Sequence, residues 1–299
     1  MLNTLDMTLF EFIQKFENNS SCSKFLSEQK WAKGYACRKC CFNNYIKGNT
    51  PFSRRCKQCK YDESPTAHTV FHHLKFPLLK AFHICFRLST KKGMSTHEIA
   101  KEMGICQKTA WLFCTKARAA MKSSGNHPLC GEVHVDECVF GGKELGQKGR
   151  SLGKKKPVLF MVEKVSKGKI GRVYAEKIEN YQKKTIYPIL ERKIDRSAKV
   201  VTDEYPTYDK LKVKFKNAKQ IKSAKGANFP EIHIQIMNIK GGLRGIHHKC
   251  SEKHLQAYLD QYCYRTNRRT MKTPIVFNLI TKMSNQKSMT FQQIKAKAA

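Results

Sequence analysis

The sequence predicts an α/β fold in the second half of the chain, preceded by a small cysteine-held ribbon and a helical region. Three observations predict it. Two Cys-x-x-Cys pairs stand near the front with fifteen residues between them. A helical stretch with a glycine-centred break follows. From residue 132 the apolar pattern then reads strand, strand, strand, helix, strand.

Composition bounds the partners. The chain has 299 residues, room for two or three domains. Its 40% hydrophobic and 27% charged content is ordinary for a folded protein. The balance of sign is not ordinary: 57 Lys and Arg against 23 Asp and Glu leave +34. That charge is spread over folded-looking segments, which favours nucleic acid as partner; a merely basic, ribosome-associated protein is the plainer alternative. No run of 18 apolar residues exists, so no membrane span is expected. The first 20 residues contain Asp6, Glu11 and Glu17 and lack an apolar core, so no secretory signal is expected. The 13 cysteines then belong to a reducing interior, where paired cysteines mean metal more often than disulfide.

Taken in order, residues 1–33 are a helical packing platform. Thr8 caps a short helix with Leu9, Phe12, Ile13 and Phe16 on one face, and a second helical piece covers 23–30. Residues 34–65 hold Cys37, Cys40, Cys56 and Cys59. Each knuckle turns two sulfurs toward one ion, and this separation suits a tetrahedral four-thiolate Zn2+ site. Cys41 is an alternative to Cys40, which keeps the Cys-x-x-Cys spacing. The zinc staples a ribbon too small to fold alone. Arg54 and Arg55, among aromatic neighbours, are candidate phosphate contacts. Residues 66–128 read as helical, with Phe76, Leu79, Phe82, His83 and Phe86 forming an apolar face around Pro77. Ser95 to Glu98 is a capping box that opens a helix to Met103; Gly104 turns the chain, and a second helix runs from about Gln107 to Lys122. This is the helix-turn-helix pattern. Its second helix would present Gln107, Lys108, Lys116 and Arg118 to DNA while Trp111, Leu112 and Met121 pack inward. A helical hairpin arising by chance is the alternative.

Residues 129–272 carry strands over 132–139, 157–165 and 169–175, a helix over 181–194 and a buried strand over 199–202. This is the order of a ribonuclease-H-like core, in which the first and fourth strands lie side by side. Asp136 and Asp203, each near the C-terminal end of its strand, would then face one another. Two carboxylates so placed repel, and a shared divalent cation is the usual remedy. Such ions support phosphodiester cleavage. A later helix over 232–243 offers His233 as a third ligand. Lys240 follows seven residues on, near two full turns and so on the same face, where it can reach phosphate. A Gly- and Lys-rich linker over 143–156 reads as a mobile basic loop. Taken singly, Asp136 is as well explained as a solvated strand end, Asp203 as a helix cap and His233 as a core histidine. The ordered set is the argument. A further helix over 251–269 turns Leu255, Tyr258, Leu259 and Tyr262 inward and Arg265, Arg268 and Arg269 outward. Arg244 and Arg268 join the candidate DNA contacts, and 273–299 form a helical tail.

The segments VDECVFGGK (135–143), VVTDEYPTYDKL (200–211), HIQIMNIK (233–240) and HHKCSEKHLQAYLDQYCYRTNRR (247–269) resemble insertion-sequence transposases of the ISXO-like type. The resemblance runs from the ribbon to about Arg269. It implies a zinc ribbon, a helix-turn-helix and a DDE-type nuclease core, with catalytic aspartates on Asp136 and Asp203. The family's third position varies among Glu, Asn and His. Here it falls on His233, with the associated lysine on Lys240, the DDH-Lys branch. A neutral imidazole is softer than a carboxylate and favours manganese relative to magnesium. Glu231, two residues away on the helix, would point elsewhere. The implied activity is Mg2+- or Mn2+-dependent cutting at terminal inverted repeats and joining of the freed 3′-hydroxyls to target DNA. The implied partners are double-stranded element and target DNA and at least one further copy of the chain, since two ends must be joined. The implied place is the nucleoid of a prokaryotic cytoplasm. The alternatives are a DNA-binding regulator with an inert nuclease-like domain and a nuclease for RNA–DNA hybrids.

Overall fold

The computed structural model describes residues 7–90, 93–141, 155–247 and 250–298. The chain divides into two compact units, one of residues up to Met121 together with those from Arg268 on, the other of Lys122–Asn267.

In the first unit α1 (Leu9–Lys15) and α2 (Asn19–Lys30) start at matched caps. The Thr8 hydroxyl accepts from the Glu11 N–H, and the Asn18 amide oxygen accepts from the Ser21 N–H. Of the apolar face expected on α1, Phe12 and Phe16 are buried while Leu9 and Ile13 are exposed. The ribbon is a three-stranded antiparallel sheet of β1 (Tyr45–Lys47), β2 (Arg54–Cys56) and β3 (Asp62–Glu63). Buried Glu63 ties it to α2 by accepting from Lys30 Nζ at 2.7 Å. Helix α3 (Leu78–Ser89) begins only after Pro77, and residues 66–77 form turns where a helix was expected. His68 and His73 there take φ of +60° and +53°, which no right-handed helix allows. Then α4 (Thr96–Met103) opens at the Ser95–Glu98 capping box and ends at Gly104, whose φ of +57° is a left-handed cap that glycine adopts without a Cβ clash. Helix α5 (Gln107–Met121) follows.

In the second unit β4 (Glu132–Phe140), β5 (Lys156–Ser166) and β6 (Lys169–Lys177) form an antiparallel meander. After α6 (Lys183–Lys193), β7 (Lys199–Thr202) and β8 (Lys219–Gln220) extend the sheet in parallel, in the order β6-β5-β4-β7-β8. This is the ribonuclease-H-like order. Period-two alternation supplies a core on each face. Val133, Val135, Leu159 and Met161 pack with Ile186 and Leu190 of α6. Val158, Phe160, Val162 and Val173 pack instead with α7 (Pro230–His247) and α8 (Glu252–Thr266), through Ile232, Ile236, Leu255 and Leu259.

The chain then returns to the first unit as α9 (Ile275–Ser284), where Leu279, Ile280 and Met283 are fully buried, and α10 (Phe291–Ala298). The linker expected to be mobile over 143–156 falls largely in 142–154, outside the described residues. Among the described residues no helix is long and apolar enough to cross a membrane.

Candidate active site

Strands β4 and β7 pair with Glu132 opposite Lys199, Val133 opposite Val200 and His134 opposite Val201. The same offset, carried two residues past the last pair, brings Asp136 and Asp203 to corresponding positions. Alternation fixes the face. Val133 and Val135 belong to the α6 side and Cys138 and Phe140 to the α7–α8 side, so Asp136 shares the latter. Val200 and Val201 divide the same way, and Asp203 follows Val201. Asp136 Oδ1 accepts from the Glu137 N–H at 2.8 Å, and Asp203 Oδ1 from the Tyr205 N–H at 3.2 Å.

Helix α7 lies over this face. Ile232, Ile236 and Ile239 anchor it, and half-exposed His233 places Nε2 3.6 Å from Asp136 Oδ2. Lys240, two turns along, holds Nζ 5.7 Å from the centre of the Phe140 ring at the end of β4. Glu231 turns away, as expected: it is buried and accepts from the Gly168 N–H at 3.1 Å in the β5–β6 turn, with Lys164 Nζ at 3.7 Å. Glu137 points to the opposite face of β4, where buried Tyr208 donates its hydroxyl to the carboxylate. Burial, with the Glu137 charge next, holds the Tyr208 phenol well above its usual range.

Ligand atoms around one octahedral magnesium-sized ion lie roughly 3 Å apart when adjacent. The Asp136–His233 pair is close to that, and two carboxylates with an imidazole suit magnesium or manganese in kind. The three side chains as a set are wider. Among the described residues only the four cysteines bring their ligand atoms within 4.8 Å of one another.

That cysteine cluster is Cys37, Cys40, Cys56 and Cys59. Cys37 and Cys59 sulfurs are 3.5 Å apart, as are those of Cys40 and Cys56. Tetrahedral zinc with bonds near 2.3 Å implies sulfur edges of about 3.8 Å, so the four fit one ion. Burial opposes the Cys37 thiolate, but N–H donation from Cys40 and Lys39 outweighs it and brings the thiol down to about 6. Cys41 is exposed at φ +59° and lies outside the cluster, which decides for Cys40.

The candidate DNA contacts are placed less uniformly. Lys108 and Arg244 are exposed. Gln107 is half-buried and donates to Thr96 Oγ1 at 3.3 Å. Lys116 is half-buried, and burial lowers its pKa. Arg118 departs from expectation: it is 3% exposed, on the same stripe as Ala110, Cys114, Ala117 and Met121, so α5 does not present it. On the ribbon, the Arg54 guanidinium packs over the rings of Tyr45 at 4.1 Å and Trp31 at 4.5 Å, while Arg55 is half-buried. Arg268 is half-buried and donates from Nε to Asn278 at 2.8 Å.

The second unit thus joins a ribonuclease-H-like sheet to Asp136 on β4, Asp203 just past β7 and His233 on α7. Residues 128–267 match the family model of the ISXO2-like transposase domain. The four-cysteine cluster ahead of it fits a zinc ribbon. No curated protein matches the chain significantly.

Proposed function

We propose that the chain is an insertion-sequence transposase that binds the terminal inverted repeats of its element, cleaves the DNA ends and joins the 3′-hydroxyls to target DNA. The supporting observation is the β4–β7 register. It carries Asp136 and Asp203 to one face, beneath a helix whose His233 stands 3.6 Å from Asp136, all inside the matched domain. Asp136, Asp203 and His233 would hold Mg2+ or Mn2+. When bound, the metal activates an attacking oxygen and stabilises the leaving one. The chain's own groups hold the DNA. Lys240, on the His233 face of α7, neutralises phosphate on the strand being cut. Lys108 at the start of α5, Arg244 on α7 and the basic ribbon bind duplex phosphates without reading sequence. The protein acts as a dimer or larger assembly in the cytoplasm, because one element presents two ends.

The test offers purified protein a duplex ending in the element's inverted repeats, with Mn2+ or Mg2+. Wild type should release cut ends and joined products, and Asp136→Asn should release neither. Cutting that survives Asp136→Asn would place the chemistry elsewhere.

A second reading is a DNA-binding regulator with an inert nuclease-like domain, and the spacing of the three side chains beyond 4.8 Å as a set favours it. It requires salt-sensitive binding to the repeats with no scission under either metal.

A further inference from the structure

Resting on the reading of His233 as a metal ligand, we propose that Gly226 is a positioning residue that keeps the Nε2 edge of His233 open toward Asp136. A Cβ built on Gly226 would lie 2.9 Å from Nε2, 3.0 Å from Cδ2 and 3.3 Å from Cε1 of that ring. Nε2, the nearest of the three, is also the atom that stands 3.6 Å from Asp136 Oδ2. A methyl group would therefore press on the nitrogen that has to ligate. The backbone conformation excludes a side chain independently, since φ at Gly226 is +94°.

The approach is built, not incidental. Ala224, Lys225 and Gly226 form a run of three left-handed residues at φ +48°, +54° and +94°, a conformation that persists only where surrounding bonds over-determine it. Here they do. The Gly226 N–H donates to the Ser223 carbonyl at 2.9 Å and to its hydroxyl at 3.2 Å. The Gly226 carbonyl accepts from Phe229 at 3.0 Å, and the Phe229 carbonyl accepts from the His233 N–H at 3.2 Å. Phe229 is buried against the ring of His134, on the strand that carries Asp136. A continuous backbone path thus fixes Gly226 to the turn of α7 that bears His233. Were the glycine needed only for the turn, its effect would be on folding and indifferent to what stands at 233.

The experiment is a double-mutant cycle on the zinc-loaded full chain, with Mn2+ affinity read from the free-ion electron paramagnetic resonance signal. Gly226→Ala should weaken Mn2+ binding about tenfold, as loss of a group orienting a ligand commonly does. In the His233→Ala background the same change should have no further effect. Lys225→Gly, which removes strain without adding a side chain near the ring, should leave Mn2+ affinity unchanged. Equal weakening by Gly226→Ala in both backgrounds, or none in either, overturns the proposal and leaves the ligand reading standing. If His233→Ala alone does not weaken Mn2+ binding, the ligand reading itself fails. Circular dichroism melts check each fold. Should Gly226→Ala not fold, Gly226→Asn tolerates the left-handed backbone while keeping a Cβ and is read by the same cycle.

Discussion

Replacing Cys56 by serine should abolish zinc binding and unfold the ribbon. The size of the effect follows from the cluster. A structural zinc contributes about 10–16 kcal/mol, so each of four sulfurs carries roughly 2.5–4 kcal/mol. Cys56 is fully buried against Trp31, Tyr35 and Cys37, so the serine hydroxyl would also lose solvation, for about 1–3 kcal/mol more. A loss of roughly 3.5–7 kcal/mol compares with the whole stability of a small domain. The ribbon's strands are three, three and two residues long, so little else supports it. The assay is zinc content per chain by mass spectrometry after dialysis against a chelator, with limited proteolysis to locate the unfolded segment. Wild type and Cys41→Ser should retain one zinc; Cys56→Ser should retain none and be cut within 34–65. Lys122–Asn267 should survive as a fragment, because its apolar clusters include no ribbon residue. Retention of zinc by Cys56→Ser, or its loss from Cys41→Ser, would refute the assignment.

Two further outcomes follow. Lys108→Ala should lower the slope of log binding constant against log salt by about 0.9, one phosphate contact, in a DNA titration. Buried Arg118→Met should leave that slope unchanged and register only in the melting temperature. At the start of β4, the Lys199 ammonium, against a smaller burial penalty, holds the Glu132 carboxyl down at about 2, below its usual 4.5. A depressed carboxyl stabilises the fold above its unfolded pKa and loses that contribution as pH falls through its folded one. Stability should therefore drop between pH 4.5 and 2. For a side chain 31% exposed the contribution is about 1 kcal/mol, and Glu132→Gln should flatten this part of the urea-denaturation profile.

The features legible in sequence were those written locally. Cys-x-x-Cys spacing, a serine three residues before a glutamate, a glycine at a helix end and apolar alternation each need only a few residues to declare themselves. So the four-cysteine cluster, α4, Gly104 and β4 to β7 emerged close to their observed limits. Strand β8 did not, since two residues carry no period. Arg118 was turned to the wrong face for a different reason. Trp111 and Leu112 dominate the apolar signal of α5 but are only half-buried, and its packed stripe sets Ala110, Ala117 and Ala120, which fit close approach but contribute little hydrophobicity, among Phe113, Cys114 and Met121. Gly226 had no signal at all: its importance lies in what would collide with a Cβ, a property of the folded site.

The position of Asp203 is a consequence of core packing and owes nothing to the site's own chemistry. Strand β7 has four residues and pairs with β4 at three positions, so a slip of one would reverse every side chain. The slip is prevented by Val200, buried against α6, and Val201, buried against α7 and α8, with Thr202 fully buried beyond them. The carboxylate is thus delivered to its face whether or not a cation meets it, and beside Asp136 it adds like charge. Asp203→Asn keeps an oxygen for the Tyr205 N–H and removes that repulsion, so the variant should melt at or above the wild-type temperature while strand transfer is lost. A drop in stability of more than about 2 kcal/mol would instead make Asp203 a cap whose charge the fold requires, the bland role its sequence context also allows.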